Sequence, residues 1–357
     1  MTRLESLDLY RPEDPFSPAR GIRDLVDVLE FGTMCVGGFP EPLTFSLRAW
    51  RELRRRGAGF DVVHDNQSLA YGLLAIQRLG LPVVATIHHP IAIDRHLELA
   101  GAPGWGRRVA IRRWYAFARM QGRVARRLPR LITVSNAARD EIVGEMRVPA
   151  ERIAVVPNGV DATTFRPRPD QPRVEGRLVA TASADVPLKG LVPLLEAVAR
   201  VRAERRVELV VVGKARTNGA VAAAIDRLGL IHSVRFVNGI GEAELVDLYA
   251  QAELAVVPSL YEGFSLPAVE AMACAVPVVA TTAGALPEVV GRDGSTGFLV
   301  PPGDAPALAA AISRALADAP LRRRLGAGGR ARVLERFTWE RAAEATVAEY
   351  RRAIAGC

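Results

Sequence analysis

The chain is 357 residues long, with 49% hydrophobic residues, 24% charged residues and a net charge of +8. This length predicts two domains that each bury a core, and the composition excludes a disordered chain. No apolar run reaches the ~18 residues of a membrane span, and the N-terminus lacks the apolar core of a signal peptide. The scattered Cys35, Cys274 and Cys357 fit reduced thiols without zinc spacing. We therefore expect a cytoplasmic protein.

The basic residues are almost all arginine, since only Lys189 and Lys214 are lysine. Most arginines alternate with acids, as is typical of solvated helix faces. The segment 107–130 differs, because it carries nine arginines and no acid beside several aromatic residues. Two interpretations stay open: an exposed helix that packs its aromatic side chains on a sheet, or a surface for anionic lipid at the inner face of the membrane or for a phosphorylated acceptor. We expect no binding to nucleic acid.

The predicted elements alternate along the chain after a start with little strand character. Gly37 and Gly38 follow no clear strand, so we interpret them as a loop and not as a phosphate-binding turn. Nine β-branched runs predict strands at 61–65, 82–89, 130–135, 153–158, 177–183, 207–213, 234–239, 254–259 and 277–282. Continuous apolar strands separated by helical patterns predict an α/β fold of doubly wound parallel sheets.

A domain boundary is predicted in the segment 157–177, which carries four prolines between periodic segments. We therefore predict an N-terminal domain over 1–165 and a C-terminal domain over 166–336. The remainder, 337–357, predicts a helix with Thr338 as its N-cap that packs back toward the N-terminal domain.

The sharpest candidate site lies in 258–290, where a strand, a YEGFS loop and a helix follow one another. The backbone N–H groups of a helix N-terminus form an anion site. Glu262 in the loop and Glu270 in the helix are carboxylates able to accept paired hydroxyl donors of ribose and sugar. An isolated pair of acids at this spacing would more often be a helix start with favourable charges. Phosphate and two diols together describe a nucleotide sugar.

The residues around these acids resemble a family. PSLYEGFSLPAVEAMACAVPVV is similar to P-S-x-x-E-G-F-G-L-P-x-x-E-A-M-A-C-G-x-P-V-V of retaining glycosyltransferases of family 4, with Ser265 and Ala275 where glycine is usual. Similar segments, including VVPNGVDATTF and GFLVPPGD, continue in order along nearly the whole chain. The resemblance implies the GT-B fold, with two Rossmann-like domains facing a cleft. It also implies transfer of a sugar from a nucleotide-diphosphate sugar to an acceptor, with retention and without a metal or cofactor.

The resemblance assigns roles on the donor side. Glu270 matches the glutamate that binds the donor ribose, and Glu262 the glutamate that holds hydroxyls of the transferred sugar. Lys189 matches the lysine that neutralises the departing diphosphate. Backbone groups near the distal phosphate and sugar would come from Gly263, Phe264, Ser265 and Leu266.

One departure concerns the second cation of that site. The family usually has an arginine five residues before the lysine, and Ala184 stands at that position. Losing one of two cations should weaken leaving-group stabilisation. Arg177 and Arg216 are candidates to replace it, and the sequence does not decide between them.

In the N-terminal half, His88 of ATIHHP matches the histidine that the family places at the transferred sugar. It ends a predicted strand, where ligands bind in such folds. His89 is an alternative that orders a loop, and the polar residues 65–67 are candidates to line the acceptor cleft. Ser135 fits a helix cap as well as a cleft residue.

Family members begin with a strand, a Gly-Gly loop and a helix that this sequence lacks. The N-terminal domain therefore lacks its first βαβ elements, and we expect the natural start to lie upstream of Met1. If the chain starts at Met1, the alternative is a weak or inactive sugar-nucleotide-binding protein. A different GT-B enzyme, such as a nucleotide-sugar epimerase, is a further rival. The acceptor stays open between a small molecule, a lipid-linked compound and a glycan.

Overall fold

The computed structural model describes residues 4–7, 21–56, 59–182, 186–214 and 219–356. Ala184 and Arg216 lie outside these ranges. The helices are α1 (Leu25–Cys35), α2 (Glu41–Arg56), α3 (Tyr71–Gln77), α4 (Ile91–Ala100), α5 (Trp105–Trp114), α6 (Phe117–Ala125), α7 (Asn136–Met146), α8 (Leu191–Arg202), α9 (Ala220–Arg227), α10 (Glu242–Gln251), α11 (Leu266–Ala273), α12 (Leu286–Val290), α13 (Ala305–Ala317), α14 (Ala319–Arg336) and α15 (Trp339–Ala355).

All nine predicted strands are present, each shorter than its prediction, and β10 was not predicted. The strands are β1 (Val63–Asn66), β2 (Val83–Ile87), β3 (Arg130–Thr133), β4 (Ile153–Val155), β5 (Arg177–Thr181), β6 (Glu208–Val212), β7 (Val234–Val237), β8 (Leu254–Val257), β9 (Val278–Thr281) and β10 (Gly297–Val300). The chain forms two compact units, Met1–Val156 with Glu344–Cys357 (unit 1) and Pro157–Ala343 (unit 2).

Unit 1 contains a four-stranded parallel sheet in the order β1-β2-β3-β4. Every residue of β2 is buried, because helices cover a central parallel strand on both faces. The described residues before Val63 form helices and loops and no strand. Gly37 and Gly38 follow the end of α1 in a turn, so their prediction as a loop is confirmed.

The last helix contributes to unit 1. Its N-cap is Thr338, whose Oγ1 accepts from the amide of Arg341 at 3.4 Å, as the sequence predicted. Further along α15, Glu349 is buried and pairs with Arg130 at 3.2 Å. The hydroxyl of Tyr350 lies 2.5 Å from Nδ1 of His64. These contacts tie the end of the chain to β1 and β3.

Unit 2 contains a six-stranded sheet in the order β10-β9-β8-β5-β6-β7, with every pair parallel. The chain starts in the middle at β5, builds outward to β7 and then crosses back to β8 on the other side of β5. The strand order therefore reverses between β5 and β8. Doubly wound sheets bind ligands at such a switch point, beyond the carboxyl ends of the strands.

The Pro-rich segment forms the start of unit 2 and is hydrogen-bonded to the rest of that unit. The amide of Val160 donates to the carbonyl of Phe337 at 2.9 Å, and Val160 forms a parallel bridge with Thr338. Arg330 donates to the carbonyls of Phe165 at 2.7 Å and Ala162 at 3.0 Å. These hydrogen bonds join residues 160–165 to the rest of unit 2, which begins at Pro157.

The arginine-rich segment 107–130 forms two helices, α5 and α6, where the sequence suggested one. Part of its aromatic face packs inward, since the rings of Trp114 and Phe117 lie 5.1 and 5.2 Å from Phe39. Trp105, which begins α5 two residues before this segment, is by contrast 82% exposed. The inward packing agrees in part with the first interpretation, and the second, a surface for anionic lipid or a phosphorylated acceptor, stays a prediction.

Candidate functional site

The loop after β8 leads directly into the N-terminus of α11. Ser265 caps this helix, because its side chain accepts from the amide of Ala268 at 3.4 Å. Pro267 follows in the first turn, where a missing N–H leaves nothing unsatisfied. Phe264 is buried against Phe337 in an edge-to-face contact with ring centroids 5.7 Å apart. The position of the helix start is thus fixed by packing and by capping.

Backbone donors are left over at this helix start. Across the described ranges, the amides of Phe264, Ser265 and Leu266 donate to no protein acceptor. The first N–H groups of a helix need outside partners, and the helix dipole makes that end positive. This end of α11 is therefore suited to hold an anion such as phosphate.

Lys189 reaches the same site from the other side of the switch point. It ends a short 3-10 helix, Pro187–Lys189, that follows β5. Its Nζ lies 3.1 and 3.3 Å from the two carboxylate oxygens of Glu262. The next residue, Gly190, has φ +65°, and a Cβ there would lie 1.9 Å from the carbonyl oxygen of Pro258. Only glycine allows this close approach of the lysine turn to the exit of β8.

Glu262 is held by its backbone as well as by this ion pair. Its carbonyl accepts from the amide of Ala285 at 2.9 Å. The preceding Gly284 has φ +50°, and a Cβ there would lie 2.1 Å from the same oxygen. The Glu262 side chain is 12% exposed and that of Lys189 is 33% exposed. The two residues, which the sequence predicted for separate roles, thus form an ion pair with the lysine as the more exposed partner.

Glu270 is half-buried in α11 and has a partner that the sequence did not identify. The hydroxyl of Tyr249, in α10, donates to Oε2 of Glu270 at 3.3 Å. Burial raises the pKa of Glu270, and the Tyr249 hydrogen bond acts in the opposite direction. Tyr249 is itself buried, and its pKa lies well above its ordinary value because of burial and of the nearby carboxylate. Its segment belongs to the family resemblance, but contact with Glu270 depends on tertiary packing.

Arg177 does not supply the missing cation. It is the first residue of β5, at the opposite end of the sheet from Lys189. Its guanidinium already donates to Glu208 at 2.8 Å and to Gln251 at 2.6 Å. The sequence-based suggestion of Arg177 is therefore wrong, because the direction of β5 places its first residue at the end of the sheet away from Lys189.

The two positions where the family usually has glycine have left-handed backbones. Ser265 has φ +93° and Ala275 has φ +54°. A residue with a Cβ is disfavoured at such angles, and glycine is not. The backbone at these two positions thus has the conformation that glycine favours. Serine and alanine adopt it at an energetic cost that glycine would not carry.

In unit 1, His88 follows the carboxyl end of β2, as predicted. Its Nε2 lies 2.9 Å from Oδ1 of Asn66, so with the amide in this orientation Nε2 carries the hydrogen and Nδ1 can accept. The side chain of Gln67 clamps the turn, accepting from the amide of His88 at 2.7 Å and donating to the carbonyl of His89 at 3.1 Å. Burial lowers the pKa of His88, which favours the neutral imidazole.

The remaining candidates of unit 1 are held by local structure. Nε2 of His89 lies 2.9 Å from a carboxylate oxygen of Asp94, which orders the loop. Asp65 is buried and accepts from the amide of Leu69 at 3.0 Å, so it holds a turn and does not line a cleft. Ser135 caps α7 by accepting from the amide of Ala138 at 3.0 Å.

A cavity of about 440 Å³ adjoins the partners of His88 in unit 1. Asn66 and Gln67 line it together with Glu41 and Arg48. Burial raises the pKa of Glu41, with the charge of Glu30 acting in the same direction. The cavity offers carboxylate, amide and guanidinium groups, which are hydrogen-bonding partners of hydroxyl-rich molecules.

The described residues contain neither a candidate metal cluster nor a candidate membrane-spanning helix. No group of three or more His, Cys, Asp or Glu side chains in these ranges is placed to hold a metal ion. No described helix combines the length and the apolar character needed to cross a membrane.

Comparison with known proteins covers both units. The model of the family described as Glycosyltransferase Family 4 matches residues 6–164, and that described as Glycosyl transferases group 1 matches 165–332. An MMP alpha-(1->4)-mannosyltransferase from Mycolicibacterium hassiacum is 52% identical over 357 residues, covering 99% of this chain and 86% of the relative. This chain is a family 4-type glycosyltransferase of the GT-B fold.

More distant relatives agree with this assignment. A D-inositol 3-phosphate glycosyltransferase from Streptomyces avermitilis is 34% identical to this glycosyltransferase, over 86% of this chain and 68% of the relative. The solved sucrose-phosphate synthase from Thermosynechococcus elongatus has a TM-score of 0.70 at 27% identity, over 87% of this chain and 78% of that one. Anabaena HepE in complex with UDP shares the fold, with a TM-score of 0.70 at 22% identity, over 85% of this chain and 82% of that one. The predicted family and fold are confirmed.

Proposed function

We propose that this glycosyltransferase moves a mannosyl group from a nucleotide-diphosphate sugar to a hydroxyl of a glycan acceptor, with retention of configuration. The observation that carries the proposal is the pairing of Lys189 with Glu262 beside the open N-terminus of α11. A cation, a carboxylate and free backbone donors meet at the switch point of unit 2. Mannose and the α-(1→4) linkage are proposed from the relative with 52% identity.

The donor would be bound by complementary charge and hydrogen bonding. The diphosphate would accept from the free amides at the start of α11 and from Lys189. Glu270 would accept from the ribose hydroxyls, and Glu262 from hydroxyls of the transferred sugar. When the diphosphate arrives, Lys189 gains a second anionic partner, which loosens its hold on Glu262. The carboxylate then becomes available to the sugar.

The chemistry asked of these groups is stabilisation of the leaving group. As the sugar–phosphate bond breaks, negative charge grows on the diphosphate, and Lys189 with the α11 amides faces that charge. Retention is proposed to follow a same-face displacement, in which the donor phosphate helps to deprotonate the acceptor hydroxyl. Glu262 is therefore not assigned the role of a glycosidase nucleophile. His88 takes the role that the resemblance implies, a neutral imidazole that stabilises developing positive charge.

A donor panel tests the proposal. The purified chain is incubated with GDP-mannose, UDP-glucose and other nucleotide sugars, together with short α-(1→4)-mannosides, and the anomeric configuration of the product is read by NMR. Lys189→Ala should lower kcat by roughly 10²–10³-fold, as expected for one lost stabiliser of transition-state charge. Lys214→Ala, which removes the other lysine, should leave kcat unchanged. Equal activity of the two variants would refute the assignment.

The same panel separates the alternative of a catalytically weak or inactive binding protein. Donor binding is measured by thermal shift, since a ligand that binds the folded state raises its melting temperature. A shift with GDP-mannose that is lost in Glu270→Ala, without product from any acceptor, would favour the binding protein. Consumption of the donor without an acceptor would favour an epimerase.

We also propose contact with anionic membranes through 107–130. The helix α5 begins two residues before this segment, at Trp105, which is 82% exposed. Val109 lies one turn further along and is also exposed. Exposed Arg108 and Arg112 flank them, which gives the apolar and basic face of an interfacial helix. Sedimentation with phosphatidylglycerol vesicles should fall in Trp105→Ser, and equal sedimentation of wild type and variant would contradict the contact.

A further inference from the structure

A second concave site lies in unit 1, lined mainly by arginines. Its cavity of about 630 Å³ is bounded by α4, α6 and the end of α7. Its basic lining residues are Arg95, Arg119, Arg123, Arg126 and Arg147, and its acidic lining residue is Glu145. It extends from Pro90, just past the carboxyl end of β2, to Arg147, just past the end of α7. All of its lining residues belong to unit 1, whereas the candidate donor site is built by residues of unit 2.

The arginine lining follows from helix periodicity in α6. Arg119, Arg123 and Arg126 are spaced by four and three residues, so they share one helix face. Gly122 lies between them on that face, and the atom closest to a Cβ there would be Nη1 of Arg126 at 3.5 Å. The missing side chain opens the floor of the cavity. The acid-free segment 107–130 thus supplies three of the arginines that line this cavity.

The positive charges of this cavity are not balanced by the protein. Among the described residues, no carboxylate lies within ion-pair distance of Arg119, Arg123, Arg126 or Arg147. Glu145 lies 3.9 Å from His96 and pairs with none of these arginines. Nε of Arg95 is buried without a hydrogen-bond partner. Like charges held around a cavity raise the local concentration of anions.

Two of the arginines are also held in place. Nη1 of Arg126 donates to the carbonyl of Met146 at 2.7 Å, which fixes its guanidinium across the gap between α6 and α7. Nη1 of Arg123 donates to the hydroxyl of Tyr71 at 3.4 Å. The planar guanidinium fork binds phosphate oxygens in pairs, and a preordered fork loses less entropy on binding.

We propose that this cavity binds a phosphate-bearing small molecule, at a site separate from that of the nucleotide-sugar donor. Its volume is in the range of small-molecule sites, so it has room for more than the phosphate group. Pro90, Ile91 and Ala118 give an apolar wall beside the arginines. Pro90 also follows His88 and His89 directly, so a bound ligand contacts the turn that carries the candidate catalytic histidine.

The test uses inorganic pyrophosphate and titration calorimetry on a chain whose donor site is disabled by Lys189→Ala with Glu270→Ala. Binding should persist there. Adding Arg119→Ala with Arg123→Ala should weaken it by roughly tenfold or more, as expected for lost hydrogen bonds to a charged group. The control Arg55→Ala with Arg113→Ala removes two exposed arginines outside the cavity and should leave the affinity unchanged.

A gain-of-charge variant makes the test independent of arginine loss. Gly122→Glu introduces a carboxylate into the floor of the cavity and favours the helix, so it should abolish pyrophosphate binding while the melting temperature holds. Pyrophosphate binding that survives both sets of substitutions, or that is absent from the donor-disabled chain, would overturn the proposal. Competition with phosphatidylglycerol vesicles identifies the source of the phosphate. If the cavity binds a lipid headgroup, the vesicles should compete with pyrophosphate for it. If the cavity binds a soluble ligand, the vesicles should leave pyrophosphate binding unchanged.

Discussion

Ala275 carries a backbone strain that one substitution should relieve. The end of α11 forms two hydrogen bonds of a Schellman motif, from the amide of Val276 to the carbonyl of Ala271 and from that of Ala275 to that of Met272, both at 2.9 Å. The motif requires a left-handed residue at Ala275, where φ is +54°. Glycine is the usual residue at that position because it has no Cβ. Ala275→Gly should therefore stabilise unit 2.

The magnitude follows from two opposing terms. A left-handed backbone costs a residue with a Cβ roughly 1–2 kcal/mol. Glycine loses more conformational freedom on folding, which offsets roughly 0.5–1 kcal/mol of that gain. The net increase in the free energy of unfolding should be about 0.5–1 kcal/mol. For a unit of this size, that corresponds to a rise in melting temperature of roughly 1–4 °C.

Calorimetry of the wild type and the variant measures this shift. Ala310→Gly is the matched control, since it makes the same chemical change at an exposed position inside α13. There the helix is right-handed, and glycine should lower stability by about 1 kcal/mol. The two variants should thus move the melting temperature in opposite directions. A loss of stability in Ala275→Gly would refute the reasoning, because the methyl contacts would then outweigh the strain.

Three further predictions concern titration and reactivity. Because burial raises the pKa of Glu270, the folded state binds its proton more tightly than the unfolded state. Glu270→Gln should raise the melting temperature at neutral pH, and this gain should vanish as the pH falls to 4.5, the ordinary pKa of a glutamate. A gain that does not depend on pH would contradict this prediction. Burial lowers the pKa of His88 below its ordinary 6.5, so the loss of kcat/KM on acidification should have its midpoint below that pH, and His88→Gln should lack this loss. Burial raises the pKa of Cys274 to about 12, so iodoacetamide should modify exposed Cys35 and spare Cys274, as read by peptide mass spectrometry.

The strands were the most predictable part of the fold. Nine of them are continuous β-branched runs, which indicate buried parallel strands directly. β10 was missed because GFLV is short and is followed by Pro301 and Pro302, so it looks like part of a loop. The order of the strands was not predictable, because the pairing of parallel strands depends on where each crossover places the next strand.

The site was predictable where function depends on a local motif. Glu262 and the start of α11 follow from one loop and its capping pattern. Lys189 is distant in sequence, and its match to the family placed it at the site. Tyr249 was missed because its contact with Glu270 joins two helices through tertiary packing. Arg177 was suggested wrongly on its charge alone, although its place at the start of the predicted strand 177–183 already puts it away from the carboxyl ends where ligands bind.

Because lysine is scarce in this chain, chemical labelling of Lys189 can report on the state of its ion pair with Glu262. Only two side-chain amines exist in the chain, and the other one, Lys214, is exposed. An amine-reactive tag therefore has one side-chain target inside the candidate donor site and a second, exposed one at Lys214 for comparison. The ratio of the two labelled peptides would follow occupancy of the site in the unmodified protein, without an engineered probe.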